Sequence, residues 1–283
     1  MPLRVPDDLV RTVTGWAGDA GAAWLAALPS TVAALAERWS LEVGEPYQPS
    51  GMTALAVRVT RADGTPAVLK VRVPEDGAPD EAVGLRHVAG DGAVLLYESD
   101  GEALLLERCE PGTPLLDEPD EVAARGVAEI LRTWWRPAPP GLRSTDAVAA
   151  DWAARIAAAP PRLRDAALAA LPGRYEGEPM LLHGDLHPGN VLRAQRRPWL
   201  AIDPKPKAGD PAYDLAAVLR DRVTPENAAR RLAIVTEVTG IDPARARGWA
   251  LAQAVEGLVW AAELGIAHEE AEFGDAAECL AAL

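Results

Sequence analysis

The chain has 283 residues, enough for one large domain or two lobes, and a chain this long buries about three quarters of its unfolded surface without disulfide staples. Its net charge of −14 argues against nucleic acid, whose phosphates require a basic partner, and suits a cationic ligand that an acidic cleft would concentrate. Cys109 and Cys279 stand far apart in no metal-binding spacing, no apolar run approaches the ~18 residues of a membrane span, and the N-terminal segment lacks a signal peptide's apolar stretch. The expectation is a soluble, cytoplasmic protein with neither a membrane nor a nucleic-acid partner.

In chain order, residues 1–40 form a helical extension. Residues 41–110 have strand texture: Leu55–Thr60 and Ala67–Val73 alternate around Ala62-Asp63-Gly64-Thr65, a hairpin signal. A short helix is expected after Pro79, with Asp80 and Glu81 in its first turn, where negative charge suits the helix dipole. Two apolar runs follow, Ala93–Tyr97 and Ala103–Glu107, joined at Ser99-Asp100-Gly101. Past Pro111-Gly112 the periodicity turns helical: 120–135, with Val122, Val127, Ile130, Leu131 and Trp134 on one face, then 145–158 and 161–171. Two short strands, Met180–His183 and Trp199–Asp203, flank a loop, and helices resume over 211–221, 225–239, 243–265 and 268–282. The fold class is α+β and bilobal: an antiparallel-sheet lobe with one helix over 1–110, and a larger, mostly helical lobe over 111–283.

The chemistry concentrates in His183-Gly184-Asp185-Leu186-His187-Pro188-Gly189-Asn190, followed by Ile202-Asp203-Pro204. Phosphoryl transfer asks for a base to orient a hydroxyl and for oxygen ligands to hold the cations that neutralise phosphate. Asp185 at the loop start supplies the first. Asn190 at its end and Asp203 after the next strand supply the oxygens that Mg²⁺ prefers. A P-loop is excluded by the absence of a Walker pattern. Two rivals stand beside this reading. His183 and His187, four apart, could mimic a transition-metal hydrolase site, and a kinase fold could persist as an inactive binding module.

The His-Gly-Asp-Leu-His-Pro-Gly-Asn motif with Ile-Asp resembles the aminoglycoside phosphotransferase and protein-kinase-like superfamily. Asp203-Pro204-Lys205-Pro206 and Gly209-Asp210-Pro211-Ala212-Tyr213-Asp214 resemble its branch of streptomycin 6-phosphotransferases and hydroxyurea phosphotransferases. That resemblance implies a bilobal kinase-like fold, ATP and Mg²⁺, with Asp185 as catalytic base and Asn190 and Asp203 as metal ligands. It implies Lys70 on the α- and β-phosphates, Glu81 as that lysine's ion-pair partner, and Glu107-Arg108-Cys109 as the connector facing adenine. Pro49-Ser50-Gly51-Met52-Thr53 is the candidate nucleotide loop, although it holds one glycine rather than a glycine-rich motif. Pro204-Lys205 after Asp203 leaves no movable phenylalanine. His183 supports the loop backbone, Asp210 ties the loop to a helix N-terminus, and Asp214 is structural.

For the acceptor, the resemblance favours streptomycin, with its 6-hydroxyl near Asp185. The late helices fit a cationic substrate: Trp249, Glu256, Trp260 and Glu263, with Glu269, Glu270 and Glu272 beyond, offer carboxylates for guanidinium and indoles for cations. An unrelated hydroxylated metabolite is the alternative acceptor.

Overall fold

The computed structural model describes residues 3–74 and 81–283. The chain divides into two compact units, one made of Met1–Ala78 with Val94–Cys109 and the other of Pro79–Ala93 with Glu110–Leu283.

The first unit comprises α1 (Asp7–Arg38), β1 (Leu41–Pro46), β2 (Ala54–Arg61), β3 (Pro66–Arg72), β4 (Leu96–Asp100) and β5 (Ala103–Glu107). The strands form an antiparallel sheet in the order β1-β2-β3-β5-β4. The expected hairpin joins β2 to β3, with Ala54 opposite Arg72 and Thr60 opposite Pro66. Asp63 fixes its turn by accepting the Thr65 N–H at 2.9 Å. Alternation places Leu55, Val57, Val59, Ala67, Leu69 and Val71 on one buried face, where Leu9, Val13, Leu28 and Val32 of α1 pack. Each fully buried aliphatic side chain contributes about 1.5–3 kcal/mol. By length and composition α1 could cross a membrane, yet it is broken at Gly18, which has non-helical angles, and its apolar stripe is spent on the sheet.

The second unit begins with α2 (Glu81–Val88), then α3 (Asp120–Trp134), α4 (Thr145–Ile156), α5 (Pro161–Ala170), β6 (Met180–Leu182), β7 (Val191–Arg193), β8 (Trp199–Ala201) and β9 (Lys207–Gly209). It ends with α6 (Pro211–Arg220), α7 (Ala228–Thr239), α8 (Pro243–Leu264) and α9 (Ala267–Ala281). β6 pairs with β9 and β7 with β8, both antiparallel. The axis of this unit is α6, buried from Pro211 to Leu219. Asp210 and Asp242 cap α6 and α8 with prolines at the first helical position, the arrangement that satisfies orphan N–H groups.

Two expectations are corrected here. The boundary at 110 is wrong for α2, which groups with the helical unit. Its Gly84 packs so closely that a Cβ there would lie 3.2 Å from Pro206 and 3.4 Å from the Trp134 ring. Val122 is exposed at 48%, while Ala123, Ala124, Val127, Ala128, Ile130, Leu131 and Trp134 form the buried stripe of α3. The expected helix start at Pro79-Asp80 lies outside the described residues.

Candidate functional site

The loop from His183 to Asn190 leaves β6 and enters β7, and its shape is set by backbone bonds to the segment after β8. The Lys205 N–H donates to the His183 carbonyl at 2.8 Å, and the Ile202 N–H donates to the Asn190 carbonyl at 2.9 Å. Gly184, at φ +86°, lies where a Cβ would meet the Lys205 carbonyl oxygen at 2.0 Å, so only glycine fits this turn. His183 is fully buried beside the Trp134 ring, with centroids 4.8 Å apart. Its Nδ1 accepts the Asp185 N–H at 3.3 Å, so Nε2 carries the proton and donates to the Ile202 carbonyl at 3.1 Å. Burial lowers its pKa to about 4 despite attraction from Asp185 and Asp203. Both nitrogens are therefore committed in the neutral form, and His183 has no lone pair for a metal. This removes the transition-metal reading of His183 and His187.

Beneath the loop, the buried Asp214 carboxylate accepts the N–H groups of His183 at 2.9 Å and Gly184 at 2.7 Å, and the Trp135 indole N–H at 3.1 Å. Burial pushes its pKa up to about 6 even against those three donors. Asp214 thus does what the sequence suggested for Asp210. Asp210 instead accepts the Ala212 N–H at 3.0 Å, Arg245 Nε at 2.6 Å and Trp249 Nε1 at 2.6 Å, fastening α8 to the start of α6. The two aspartates sit one turn apart, and spacing alone does not distinguish which one reaches the loop.

The loop gathers Asp185, Asn190 and their partners. Asn190 donates its side-chain amide to the Asp185 carbonyl at 3.0 Å, leaving the amide oxygen as the side chain's acceptor. Asp203 follows in the same bonded frame at φ +58°, a left-handed conformation uncommon for a non-glycine residue and a mark of functional positions. An amide oxygen and a carboxylate are hard ligands that suit Mg²⁺, which takes few protein ligands and completes its shell with phosphate oxygens and water. Among the described residues no group of three or more His, Cys, Asp or Glu could hold a metal, and a magnesium shared with phosphate requires none.

Two cations attend Asp185 that sequence reasoning did not assign. Lys205 Nζ is 2.6 Å from Oδ2, and Arg220 Nη2 is 3.7 Å from Oδ1. Burial would raise the Asp185 pKa, but Lys205 and Arg220 together hold the carboxyl well below the usual range. Lys205 stands two residues past Asp203 and Arg220 closes α6, but no spacing ties either to Asp185.

The remaining candidates are placed as follows. Lys70 is on β3, in register with Ala56 and Leu104, on the face opposite the α1 core. Glu81 opens α2, 2% exposed. Glu107 ends β5 and accepts the Leu95 N–H at 3.0 Å, and Cys109 is buried. Gly51 and Thr53 are exposed. Ser50 is spent on Asp8, to which its N–H donates at 2.7 Å and its hydroxyl at 3.2 Å. A phosphate contact by Ser50 is therefore corrected, since a carboxylate already takes both donors. Trp249 is also corrected: it is 1% exposed and packed against Trp152 and Tyr213, a core position rather than a substrate face. Glu256 is half-buried and pairs with the chain's own Arg155 at 3.2 Å. Trp260 is half-buried and Glu263 exposed.

A family described as aminoglycoside/hydroxyurea antibiotic resistance kinase matches residues 38–265. The chain belongs to this family. It is 41% identical to the hydroxyurea phosphotransferase of Kitasatospora aureofaciens, across 93% of this chain and 82% of that protein. It is 37% identical to the streptomycin 6-kinase of Streptomyces griseus, across 93% and 92%. The fold matches a spectinomycin phosphotransferase (TM-score 0.65, 12% identity, 89% of this chain and 97% of that one). It also matches the choline kinase of Streptococcus pneumoniae (TM-score 0.62, 17% identity, 90% and 100%). As a member of the aminoglycoside/hydroxyurea kinase family, the chain is a small-molecule phosphotransferase that acts on hydroxyl groups and uses ATP.

Proposed function

We propose that the protein transfers the γ-phosphoryl group of ATP to a hydroxyl of a small cationic molecule, with streptomycin or a related aminoglycoside as first candidate. The observation that carries this is the bonded frame joining Asp185, Asn190 and Asp203, in a chain 37% identical to a streptomycin 6-kinase over 93% of its length. In this reading Asp185 orients the acceptor hydroxyl and takes its proton as the bond to phosphorus forms. Asn190 and Asp203 would hold Mg²⁺, which neutralises charge on the phosphate oxygens. Lys70 contacts the nucleotide's phosphates, the Gly51–Thr53 segment supplies backbone N–H groups to them, and the Glu107–Cys109 backbone meets adenine. Glu81 keeps the role that the family resemblance assigns to it, as the acid that would pair with Lys70. Glu263 and Trp260 are the acceptor-side residues that keep their place in the proposal, with Glu256 shared with Arg155.

Hydroxyurea is the second reading. It is favoured by the 41% identity to a hydroxyurea phosphotransferase and by the pairing of Glu256 with Arg155, which leaves one carboxylate fewer for a guanidinium substrate. Phosphorylated product should be sought by mass spectrometry with streptomycin, other aminoglycosides, hydroxyurea, choline-like alcohols and neutral sugars, each with Mg-ATP. A preference for hydroxyurea or sugars over every cationic acceptor retires the first reading. Nucleotide binding with no product from any acceptor favours an inactive binding module.

A further inference from the structure

Two cations flank the single Asp185 carboxylate, more positive charge than its balance needs. Arg220 is fixed in place: Nε donates to Gln253 Oε1 at 2.8 Å, and the guanidinium lies over the Phe273 ring at 5.0 Å. That cation is anchored beside Asp185 by contacts of its own. Lys205 is held differently. Its backbone is bolted down by the N–H bond to His183, by Lys207 Nζ donating to its carbonyl at 3.1 Å, and by prolines on either side. Its side chain, by contrast, is 52% exposed, with the flexible four-carbon stem of a lysine. Asp185 itself is only 15% exposed, but the loop is already closed by main-chain bonds and by the Asn190 amide, none of which uses the lysine side chain. It springs from two residues past Asp203 and ends 2.6 Å from Asp185, linking the segment of the candidate metal ligand to the candidate base. A phosphoryl group in transfer must pass between those two.

We propose that Lys205 is a catalytic residue whose ammonium leaves Asp185 for the γ-phosphoryl group when nucleotide binds. The proposal rests on the phosphotransfer reading above. In the step, the acceptor oxygen forms its bond to the γ-phosphorus while the bond to the bridging oxygen breaks, and ADP leaves with that electron pair. The hydroxyl proton passes to the Asp185 oxygen that Lys205 has vacated. Lys205 stays protonated throughout and offsets the charge on the equatorial oxygens, while Arg220 keeps the carboxylate ionised until the proton arrives. One group thereby guards the base in the resting enzyme and releases it when substrate is present.

The test compares wild type with Lys205→Met and Lys205→Arg, by steady-state kinetics and by calorimetric binding of ADP and of the β,γ-imido analogue of ATP, both with Mg²⁺. Lys205→Met should lower kcat by about 10²–10³, the usual cost of one transition-state charge donor, with the acceptor KM little changed. Its affinity for the imido analogue should fall toward that for ADP, while ADP affinity holds. Lys205→Arg should recover part of both. If Lys205→Met lowers kcat but keeps the wild-type ratio of the two affinities, the lysine only positions Asp185 and the proposal is overturned; unchanged kcat overturns it too. If Lys205→Met does not fold, the affinity ratio in Lys205→Arg and Lys205→Gln decides in the same way. Wild-type protein that neither binds the imido analogue nor phosphorylates any acceptor overturns the phosphotransfer reading itself, a result distinct from loss of the Lys205 role alone.

Discussion

Asn190 and Asp185 are joined by a hydrogen bond from the side-chain amide of one to the main-chain carbonyl of the other, at 3.0 Å. The asparagine therefore has two separable duties: its nitrogen closes the loop and its oxygen is the proposed ligand for magnesium. Because Asn190's own carbonyl also accepts the Ile202 N–H at 2.9 Å, the residue ties the base to the segment that carries Asp203.

Asn190→Asp keeps a metal-ligating oxygen but sets a carboxylate against the Asp185 carbonyl. The activity of this variant should demand roughly ten times more Mg²⁺, the scale of a lost supporting bond at a metal site. Asn190→Ala should demand more still. Initial rates over a magnesium titration measure this, and superimposable titrations for all three proteins would remove Asn190 from the metal site.

Gly184→Ala tests the frame itself. At φ +86° an alanine pays the left-handed penalty of about 1–2 kcal/mol, and its Cβ meets a main-chain oxygen at 2.0 Å that no rotamer change can relieve. The urea midpoint should drop and activity should be lost together, since the displaced carbonyl belongs to Lys205. A variant with wild-type midpoint and rate would mean the turn is looser than its geometry states.

Trp249→Phe separates core from substrate site. The phenyl ring retains most of the packing against Trp152 and Tyr213 but loses the N–H to Asp210. Stability should fall by about 1–3 kcal/mol, the cost of a buried acceptor losing a donor, with acceptor KM unchanged. A raised KM at undiminished stability would return Trp249 to the substrate surface.

Much of this arrangement could be read in the chain because it is encoded locally. The β2–β3 hairpin follows from alternation around Asp63-Gly64, and the caps at Asp210 and Asp242 follow from Asp-Pro pairs. The loop from His183 to Asn190 was legible because its glycines, proline and polar residues occur at fixed spacing. What stayed hidden depends on distant contacts. β7 and β9 are three residues long, and pairing rather than propensity defines them. Asp210 and Asp214 sit one turn apart at the start of α6, and the contacts of Asp210 with Arg245 and Trp249 of α8, not the spacing, decide which one meets the loop. Trp249 and Trp260 share a helix, but burial of one and partial exposure of the other follow from the rings around Trp249. Lys205 and Arg220 converge on Asp185 from 20 and 35 positions further along the chain, separations that no local pattern reports.

The last prediction concerns pH, and two buried neighbours pull in opposite directions. Asp214 has its pKa raised from 3.8 to about 6 in the folded protein. Between those values the native state binds the proton and the unfolded state does not, so the Asp214 contribution is complete below 3.8 and is lost as pH rises through about 6. His183 has its pKa lowered from 6.5 to about 4. There the unfolded state binds the proton, so the His183 contribution is complete above 6.5 and is lost as pH falls through about 4. Each shift is worth about 3 kcal/mol at about 1.4 kcal/mol per unit, and the windows overlap almost entirely. In wild type the two slopes should cancel, leaving little pH dependence from this pair between 4 and 6.5. Asp214→Asn should expose the histidine slope, with stability rising as pH rises across that range. His183→Gln should expose the aspartate slope, with stability falling as pH rises. Urea midpoints at pH 4, 5 and 6.5 for the three proteins measure both. Single variants that each run parallel to wild type would show that neither group titrates between the folded and unfolded states as its burial requires.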